Sequence, residues 1–204
     1  RSVLFLLSAT LLLAASGFSQ SAPDPYKPTL DKLQALTHQD EAEWRFHTDV
    51  PHPEDPALND SDWGALKVKN VSEVRRGEAN PDRWNGTRVF RRWIEIPDKI
   101  HGYATQGSEV RLDLRFGGSN SLMITVFSNA VIVYRGDDDN ILPVLLTENA
   151  QPGQKFLVAA RVVATEDTQS EFFHSELMIQ PPSTRPDPER LRTGILAARP
   201  VLQA

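Results

Sequence analysis

Hydrophobic and polar residues alternate through the middle of the chain, from Glu109 to Ala164. The first run places apolar side chains at every second position, with charged residues between them: Val110, Leu112, Leu114 and Phe116. Further apolar runs follow at residues 122–127, 131–134, 142–147 and 156–163. A period of two is typical of half-buried β-strands, and no helical periodicity interrupts it. The pattern predicts an all-β domain, an antiparallel β-sandwich with short flanking helices.

Three further segments extend the predicted sandwich to residues 41–181. Residues 66–71, 88–97 and 171–180 each have the composition of a β-strand. In the second of these strands the side chains divide between two faces: Phe90, Arg92, Ile94 and Ile96 on one, and Val89, Arg91, Trp93 and Glu95 on the other.

Residues 1–19 have the pattern of a secretory signal peptide. The positively charged Arg1 precedes an apolar run, and small residues suited to a cleavage site follow this run. The run is short for a transmembrane helix, and a membrane-anchored start is the alternative. A signal peptide predicts a secreted or periplasmic protein that is free of the membrane once the peptide is cleaved.

Helical segments are predicted on either side of the sandwich. Residues 20–40 predict a proline-rich linker and a short helix at 30–36, capped by Thr29. Residues 182–204 predict a linker and the start of a second helix, with Asp187 as its N-cap. The second helix has an apolar face that no other segment obviously covers. Either it packs on the sandwich or it leads into a missing downstream domain, and we expect the second.

Composition narrows the range of partners. The formal net charge is −5, the pI is about 5.5, and no basic cluster stands out. We therefore expect neither nucleic acid nor an anionic membrane surface as a partner. The chain has no cysteine, which excludes disulfides and thiolate metal sites.

No spacing of residues predicts a catalytic constellation. His47 and His52 lie among carboxylates, which raises the hypothesis of a metal site. The neighbouring prolines force extended backbone, and the spacing matches no recognised ligand pattern. A solvated loop is the simpler interpretation of this segment.

Several motifs resemble modules of glycoside hydrolases. Asp60-Ser61-Asp62-Trp63, followed by the strand at 88–97, resembles the galactose-binding-like jelly roll that is the sugar-binding domain of glycoside hydrolase family 2. Other segments resemble the N-terminal region of bacterial alpha-mannosidases of glycoside hydrolase family 38: 134–140, 145–153 and 185–188. The resemblance runs from about Trp44 to Leu202.

The resemblance implies a function outside this chain. Family 38 enzymes hydrolyse alpha-mannosides by a retaining mechanism, with a divalent metal, usually zinc, in a separate α/β catalytic domain downstream of the sandwich. The segments that carry the resemblance contain no metal-binding motif of that catalytic domain, and we expect this chain to hold no cofactor of that kind. The resemblance therefore implies a non-catalytic accessory domain whose partner is its own downstream catalytic domain.

One hairpin departs from the family pattern. Ser128, Asn129 and Ala130 separate two predicted strands where such domains usually place Asn-Gly. Asparagine tolerates a positive φ, whereas alanine does so less readily. This leaves open a turn longer than two residues.

A carbohydrate site needs an exposed aromatic ring with polar neighbours that bind hydroxyl groups. Trp84 fits this description best in the sequence, because Arg83, Asn85 and Arg88 surround it in a loop-like segment. Packing on the sandwich or against a catalytic domain is the alternative role for Trp84. Trp63 and Trp93 are expected to be packing residues.

An acidic loop is a candidate for calcium. It consists of Asp137, Asp138, Asp139 and Asn140. Carboxylate and carbonyl oxygens are the ligands that Ca²⁺ prefers, but a solvated turn explains the same composition. Two further hypotheses for the chain as a whole stay open: a free-standing carbohydrate-binding module, and a structural or protein-interaction sandwich.

Overall fold

A computed structural model describes residues 24–41, 43–68, 83–138 and 143–202. The predicted signal peptide lies outside these ranges. The described residues form two helices, α1 (Lys27–Ala35) and α2 (Pro188–Leu202). They also form thirteen strands: β1 (His38–Asp40), β2 (Glu43–Thr48), β3 (Gly64–Lys67), β4 (Trp84–Asn85), β5 (Arg88–Glu95), β6 (Lys99–Ile100), β7 (Tyr103–Ala104), β8 (Glu109–Gly118), β9 (Met123–Ser128), β10 (Val131–Asp137), β11 (Val144–Thr147), β12 (Lys155–Val163) and β13 (Gln169–Gln180).

Two antiparallel sheets form the sandwich. The five-stranded sheet has the order β1-β13-β8-β11, and β4 pairs with the far end of β13. The six-stranded sheet has the order β10-β9-β12-β5-β2-β3, and β6 and β7 form a separate small ribbon. The predicted antiparallel β-sandwich is confirmed. Most neighbours in the sheets are distant in sequence, so long-range pairing defines this fold.

The core lies between the sheets and has an aromatic centre. The apolar positions of β8 are fully buried, as their alternation predicts. Phe116 stacks on Phe172 of the neighbouring strand with ring centroids 4.3 Å apart. Phe90, from the opposite sheet, contacts Phe172 edge-on at 5.0 Å. Aromatic pairs of this kind add about 0.5–1.5 kcal/mol each beyond the area they bury.

The first helix begins earlier than the sequence predicts. Thr29 lies inside α1, so its assignment as the N-cap is wrong. Tyr26 occupies the cap, and Pro28 lies in the first turn of the helix. Proline suits that position because its fixed φ is helical and the N–H it lacks has no partner there anyway.

The second helix begins as the sequence predicts. The Asp187 carboxylate accepts hydrogen bonds from the backbone N–H groups of Glu189, at 2.9 Å, and Arg190, at 3.2 Å. The helix lies beside α1, where Arg199 pairs with Asp24 at 2.7 Å. Within the described residues, no helix combines the length and hydrophobicity needed to cross a membrane.

The β9–β10 hairpin has a two-residue turn. Asn129 and Ala130 both adopt positive φ, 47° and 67°. The Asn129 side chain accepts a hydrogen bond from the Leu157 N–H, and the Asn129 N–H donates to the Leu157 carbonyl, both at 2.9 Å. These two bonds fix Asn129, and Ala130 beside it adopts a conformation that alanine alone disfavours. The alternative of a longer turn is wrong for this reason.

Candidate functional site

Trp84 is a core residue. Its side chain is only 3% exposed and packs edge-on against Phe90, with centroids 5.1 Å apart. The cause is the short strand β4, which pairs Trp84 with Ser170 of β13 and turns the indole between the sheets. A ring in this position offers no face to a sugar. The prediction of Trp84 as a stacking platform is wrong, and its alternative role in packing is the one observed.

The polar residues that the sequence predicts for a sugar site around Trp84 form contacts within the protein. Arg83 donates to the Glu171 carboxylate at 3.1 Å, and the Asn85 amide donates to the Glu166 carbonyl at 2.8 Å. The Arg88 guanidinium lies 4.6 Å from the ring centroid of Phe46 and 5.1 Å from that of Trp84. The structure places these polar groups near one another without an exposed aromatic ring among them.

The acidic loop is described only in part, because Asp139 and Asn140 lie outside the described residues. The Asp138 carboxylate accepts a hydrogen bond from the Leu122 N–H at 2.9 Å. The Tyr134 hydroxyl donates to the Asp137 carbonyl at 2.7 Å. Calcium binding in this loop stays a prediction. Among the residues that the structure describes, no group of three or more His, Asp or Glu side chains has the geometry to hold a metal ion.

Trp93 is the exposed tryptophan. All four tryptophans lie in the described ranges, and Trp93 is 50% exposed whereas the other three are 7% exposed or less. Packing is confirmed for Trp63 and wrong for Trp93. The alternation along β5 contains the signal that locates Trp93, because it places this residue on the face opposite Phe90 and Ile94.

A cleft of about 630 Å³ lies beside Trp93 on the outer face of the six-stranded sheet. Three strands supply its walls: Trp93 from β5, Glu43 and Arg45 from β2, and Lys67 from β3. The antiparallel register places Glu43 opposite Lys67. The exposed aromatic and charged side chains of the cleft are thus an indole, two cations and a carboxylate, whereas Asp60, Arg91 and Arg92 line it from less exposed positions. We call this set the Trp93 cleft.

Three of the six charged residues that line the Trp93 cleft, Glu43, Arg45 and Lys67, form no ion pair among the described residues, whereas Asp60, Arg91 and Arg92 do. Arg45 donates from one Nη atom to the Trp63 carbonyl at 3.3 Å, and its other N–H groups have no hydrogen-bond partner among the described residues. Lys67 and Glu43 are exposed, and among the described residues neither forms an ion pair. Such groups can bind hydroxyl or carboxylate groups of a ligand, as donors and as an acceptor.

Arg91 lies at the end of the same cleft and is 1% exposed. Its guanidinium donates to three carbonyls of the covering loop and to the Asp60 carboxylate, the latter at 2.6 Å: Pro53, Asp55 and Leu58 supply the carbonyls. Arg161 pairs with Asp49 at 3.2 Å at the other end of this loop. Two arginines therefore hold the proline-rich segment 49–60 over the sheet. The arginine contacts, which a single sequence does not reveal, explain why this segment is ordered.

The two histidines of this segment have separate neighbours. His47, at the end of β2, lies beside the Trp63 ring at 5.4 Å, and His52, in the loop that follows, lies 3.2 Å from the Glu54 carboxylate. The interpretation of the whole segment as a loop is therefore wrong for His47, which is part of a strand.

The outer face of the five-stranded sheet contains a cluster of charges. Asp113 accepts two hydrogen bonds from Arg115, at 2.7 and 3.1 Å, and lies 3.4 Å from the His174 ring. Burial alone would raise the pKa of Asp113, but the bonds from His174 and Arg115 outweigh it and lower this pKa below its ordinary value. Burial raises the pKa of Glu176, the cross-strand partner of Asp113. We call these four residues the Asp113 cluster.

A second buried ion pair joins the two sheets. Glu41 follows β1 of the five-stranded sheet, and Arg92 lies on β5 of the other sheet, where the two side chains form an ion pair. Burial raises the pKa of the Glu41 carboxyl although Arg92 acts in the opposite direction. The Trp44 indole donates to the Glu41 carbonyl at 2.8 Å and to the Ser175 hydroxyl at 3.0 Å. These contacts fix the crossing of the chain between the sheets.

Comparison with known proteins identifies the fold and not the family. No protein-family model matches the chain, and no curated protein matches its sequence. The beta-glucuronidase of Bacteroides uniformis is similar in structure over 71% of this chain and 18% of its own, with 16% identity and a TM-score of 0.50. A glycosyl hydrolase family 2 member from Bacteroides cellulosilyticus matches over 72% of this chain and 21% of its own, with 19% identity and a TM-score of 0.48. The chain thus spans about a fifth of the length of these enzymes.

Proposed function

We propose that this chain is a non-catalytic accessory β-sandwich of a glycoside hydrolase. The observation that carries the proposal is the similarity of its fold to a segment of the Bacteroides uniformis beta-glucuronidase, in which that segment is 18% of the enzyme. The internal geometry agrees with an accessory role. Of the buried carboxylates described above, Asp113 and Glu41 are paired with arginine side chains, so neither is free to act as an acid or nucleophile at an open cleft.

The finer proposal is that the parent enzyme is a secreted or periplasmic alpha-mannosidase. It rests on the motif resemblance to glycoside hydrolase family 38, which extends into the segment at 185–188 that leads to α2. In this proposal the partner of the sandwich is a catalytic domain downstream in the same polypeptide. That domain would hold the divalent metal, zinc, and would supply the carboxylates that a retaining mechanism requires.

The coding sequence that follows Ala204 tests this proposal. We expect an in-frame α/β domain with His and Asp metal ligands. A stop codon directly after Ala204, or an unrelated domain, would contradict it.

A second test uses the 204-residue chain alone. We expect it to release no nitrophenol from 4-nitrophenyl alpha-mannoside, with or without added Zn²⁺. The protein that includes the downstream domain serves as the positive control. Cleavage by the chain alone, retained after a second purification step, would contradict a non-catalytic role.

A free-standing carbohydrate-binding module is the second candidate function. The Trp93 cleft favours it, because an exposed indole with uncommitted polar neighbours is suited to sugar binding. The coding sequence that follows Ala204 also distinguishes this module from the accessory domain, since a free-standing module needs no catalytic domain.

A further inference from the structure

We infer that the Trp93 cleft is a carbohydrate-binding site that takes a pyranose ring against the exposed indole. The inference rests on the proposed role as a sugar-associated domain and adds a site and a ligand class to it. The site is distinct from the Arg83–Arg88 segment that the sequence suggests, where the single tryptophan is buried.

The indole is presented on a rigid support. Trp93 lies on β5, where it pairs with Leu157 of β12, and the pairing of β5 with β2 on the other side ends at Arg91, two residues before the ring. Half of the side chain is open to solvent. A pyranose has one face of C–H groups, and covering an indole with that face removes apolar area from water on both partners. A ring fixed in advance loses little conformational entropy when it binds.

The polar groups around the ring match the edge of a sugar. Hydroxyl groups both donate and accept hydrogen bonds, and the cleft offers donors on Arg45 and Lys67 and an acceptor on Glu43. The two cations also suit a sugar that carries a carboxylate. The ligand class is therefore a pyranoside, either neutral or carboxylated. The experiment tests one sugar of each kind.

A protein partner fits this surface less well. Interface cores are depleted in Lys and Glu, whereas Lys67 and Glu43 line the cleft. Burying their charges against another domain would need matching charges at both positions. A small polyhydroxylated ligand leaves both side chains partly in water and avoids this cost.

The test is a titration of the 204-residue chain with methyl alpha-D-mannopyranoside and, separately, with methyl beta-D-glucuronide. Trp93 supplies the readout, because the other three tryptophans are buried and ligand in the cleft should change the fluorescence of the exposed one. We expect dissociation constants of the order of 1 mM for at least one sugar, since a single ring contributes few contacts. Isothermal calorimetry gives the same constant without relying on fluorescence.

Matched variants locate the site. We expect Trp93→Ala to weaken binding by about tenfold or more, which is about 1.4 kcal/mol. Trp93→Phe, which keeps a ring, should retain part of the affinity, and Lys67→Met or Glu43→Gln should weaken it by about two- to fivefold. Val163→Ala serves as the control, because Val163 is also an exposed apolar residue of this sheet but does not line the cleft. It should bind as the unmodified chain does.

Two outcomes would overturn the inference. One is a folded chain that binds neither sugar at about 50 mM, far above the expected constant. The other is undiminished binding by a folded Trp93→Ala variant. Circular dichroism tests whether each variant is folded. If the alanine variant does not fold, the affinity of Trp93→Phe for the sugar is compared with that of the unmodified chain. Failure here leaves the accessory-domain proposal intact, because the coding sequence after Ala204 tests that proposal independently.

Discussion

Each sheet of the sandwich turns one face to the core and the other outward, and the two outward faces differ in kind. On the five-stranded sheet the Asp113 cluster pairs carboxylates with Arg115 and His174; Asp113 makes these contacts through Oδ2, while its buried Oδ1 has no hydrogen-bond partner among the described residues. On the six-stranded sheet Arg91 and Arg161 hold a loop over one part of the face, and the side chain of Trp93 beside it is half exposed to solvent.

The difference shows where a ligand can gain free energy. A side chain that already has its partners gains little by binding something new, because the old contacts must be broken first. An exposed ring and uncommitted donors have no such cost. By this criterion the Trp93 cleft is a binding surface, whereas the Asp113 cluster stabilises its own sheet.

The largest expected effect separates the inside of the sandwich from its outside. Trp84→Ala should lower the free energy of unfolding by about 3–5 kcal/mol, because a buried ring is removed and a cavity remains. Trp93→Ala should change it by less than about 1 kcal/mol, because half of that ring is already in water. Urea denaturation followed by circular dichroism measures both. Equal losses in the two variants would show that Trp93 is a packing residue after all.

The next test breaks the loop anchor on the six-stranded face. Arg91→Ala should cost about 3 kcal/mol, since it leaves three carbonyls and the Asp60 carboxylate without their buried donor. Arg45→Ala, on the same face, removes one 3.3 Å bond at an exposed site and should cost under about 1 kcal/mol. Proteolysis within 49–60 gives a second readout and should accelerate only in the Arg91 variant. Resistance of that variant to both measurements would mean that the loop is held by other contacts.

On the five-stranded face we expect Asp113→Asn to cost about 1–3 kcal/mol at pH 7. The lowered pKa of Asp113 means that its carboxylate stabilises the fold above the ordinary value of 3.8 and that this contribution is lost as the pH falls through the lower folded value. The unmodified chain should therefore lose stability below about pH 4 more steeply than the variant does. Parallel pH dependences in the two proteins would contradict the pairing.

Glu176→Gln, in the same cluster, should act in the opposite direction. Burial raises the pKa of Glu176 above its ordinary value of 4.5, so the carboxyl favours the folded state below that pH and this advantage disappears as the pH rises through the folded value. The glutamine variant should gain up to about 1 kcal/mol relative to the unmodified chain between pH 4 and pH 7. Thermal unfolding at both pH values measures the difference. A relative loss at pH 7 would show that the attraction of Glu176 to its histidine neighbours outweighs burial.

The smallest effect concerns the β9–β10 hairpin at the edge of the six-stranded sheet. Ala130→Gly should raise stability by about 0.5–1 kcal/mol, because glycine adopts the φ of 67° without a steric penalty. Asn129→Gly is the matched change, and it should lower stability because it removes the side-chain bond to Leu157. Neither change should alter sugar binding at the Trp93 cleft. A change in affinity would mean that the cleft depends on the far hairpin, and not on the side chains that line it.

Local sequence patterns were sufficient to predict most strands and the N-cap of α2. The alternation along β8 and the position of Asp187 before Pro188 both depend on neighbours within a few residues. The predicted roles of Trp84 and Trp93 are the reverse of the observed ones, for a different reason. Trp84 is buried because a two-residue strand pairs with Ser170, and no pattern near Trp84 reveals a partner so distant in sequence.

Which side chains share a face of β5 follows from the order of residues alone, because successive residues of a strand point to opposite sides. Arg91 and Trp93 therefore share the face opposite Phe90 and Ile94. Their exposure follows from tertiary packing, which leaves Arg91 1% exposed and Trp93 50% exposed, two positions apart. The physical reason is that burial depends on what packs over a face. Here that is a loop more than thirty residues away from Arg91, which covers one position and ends before the other.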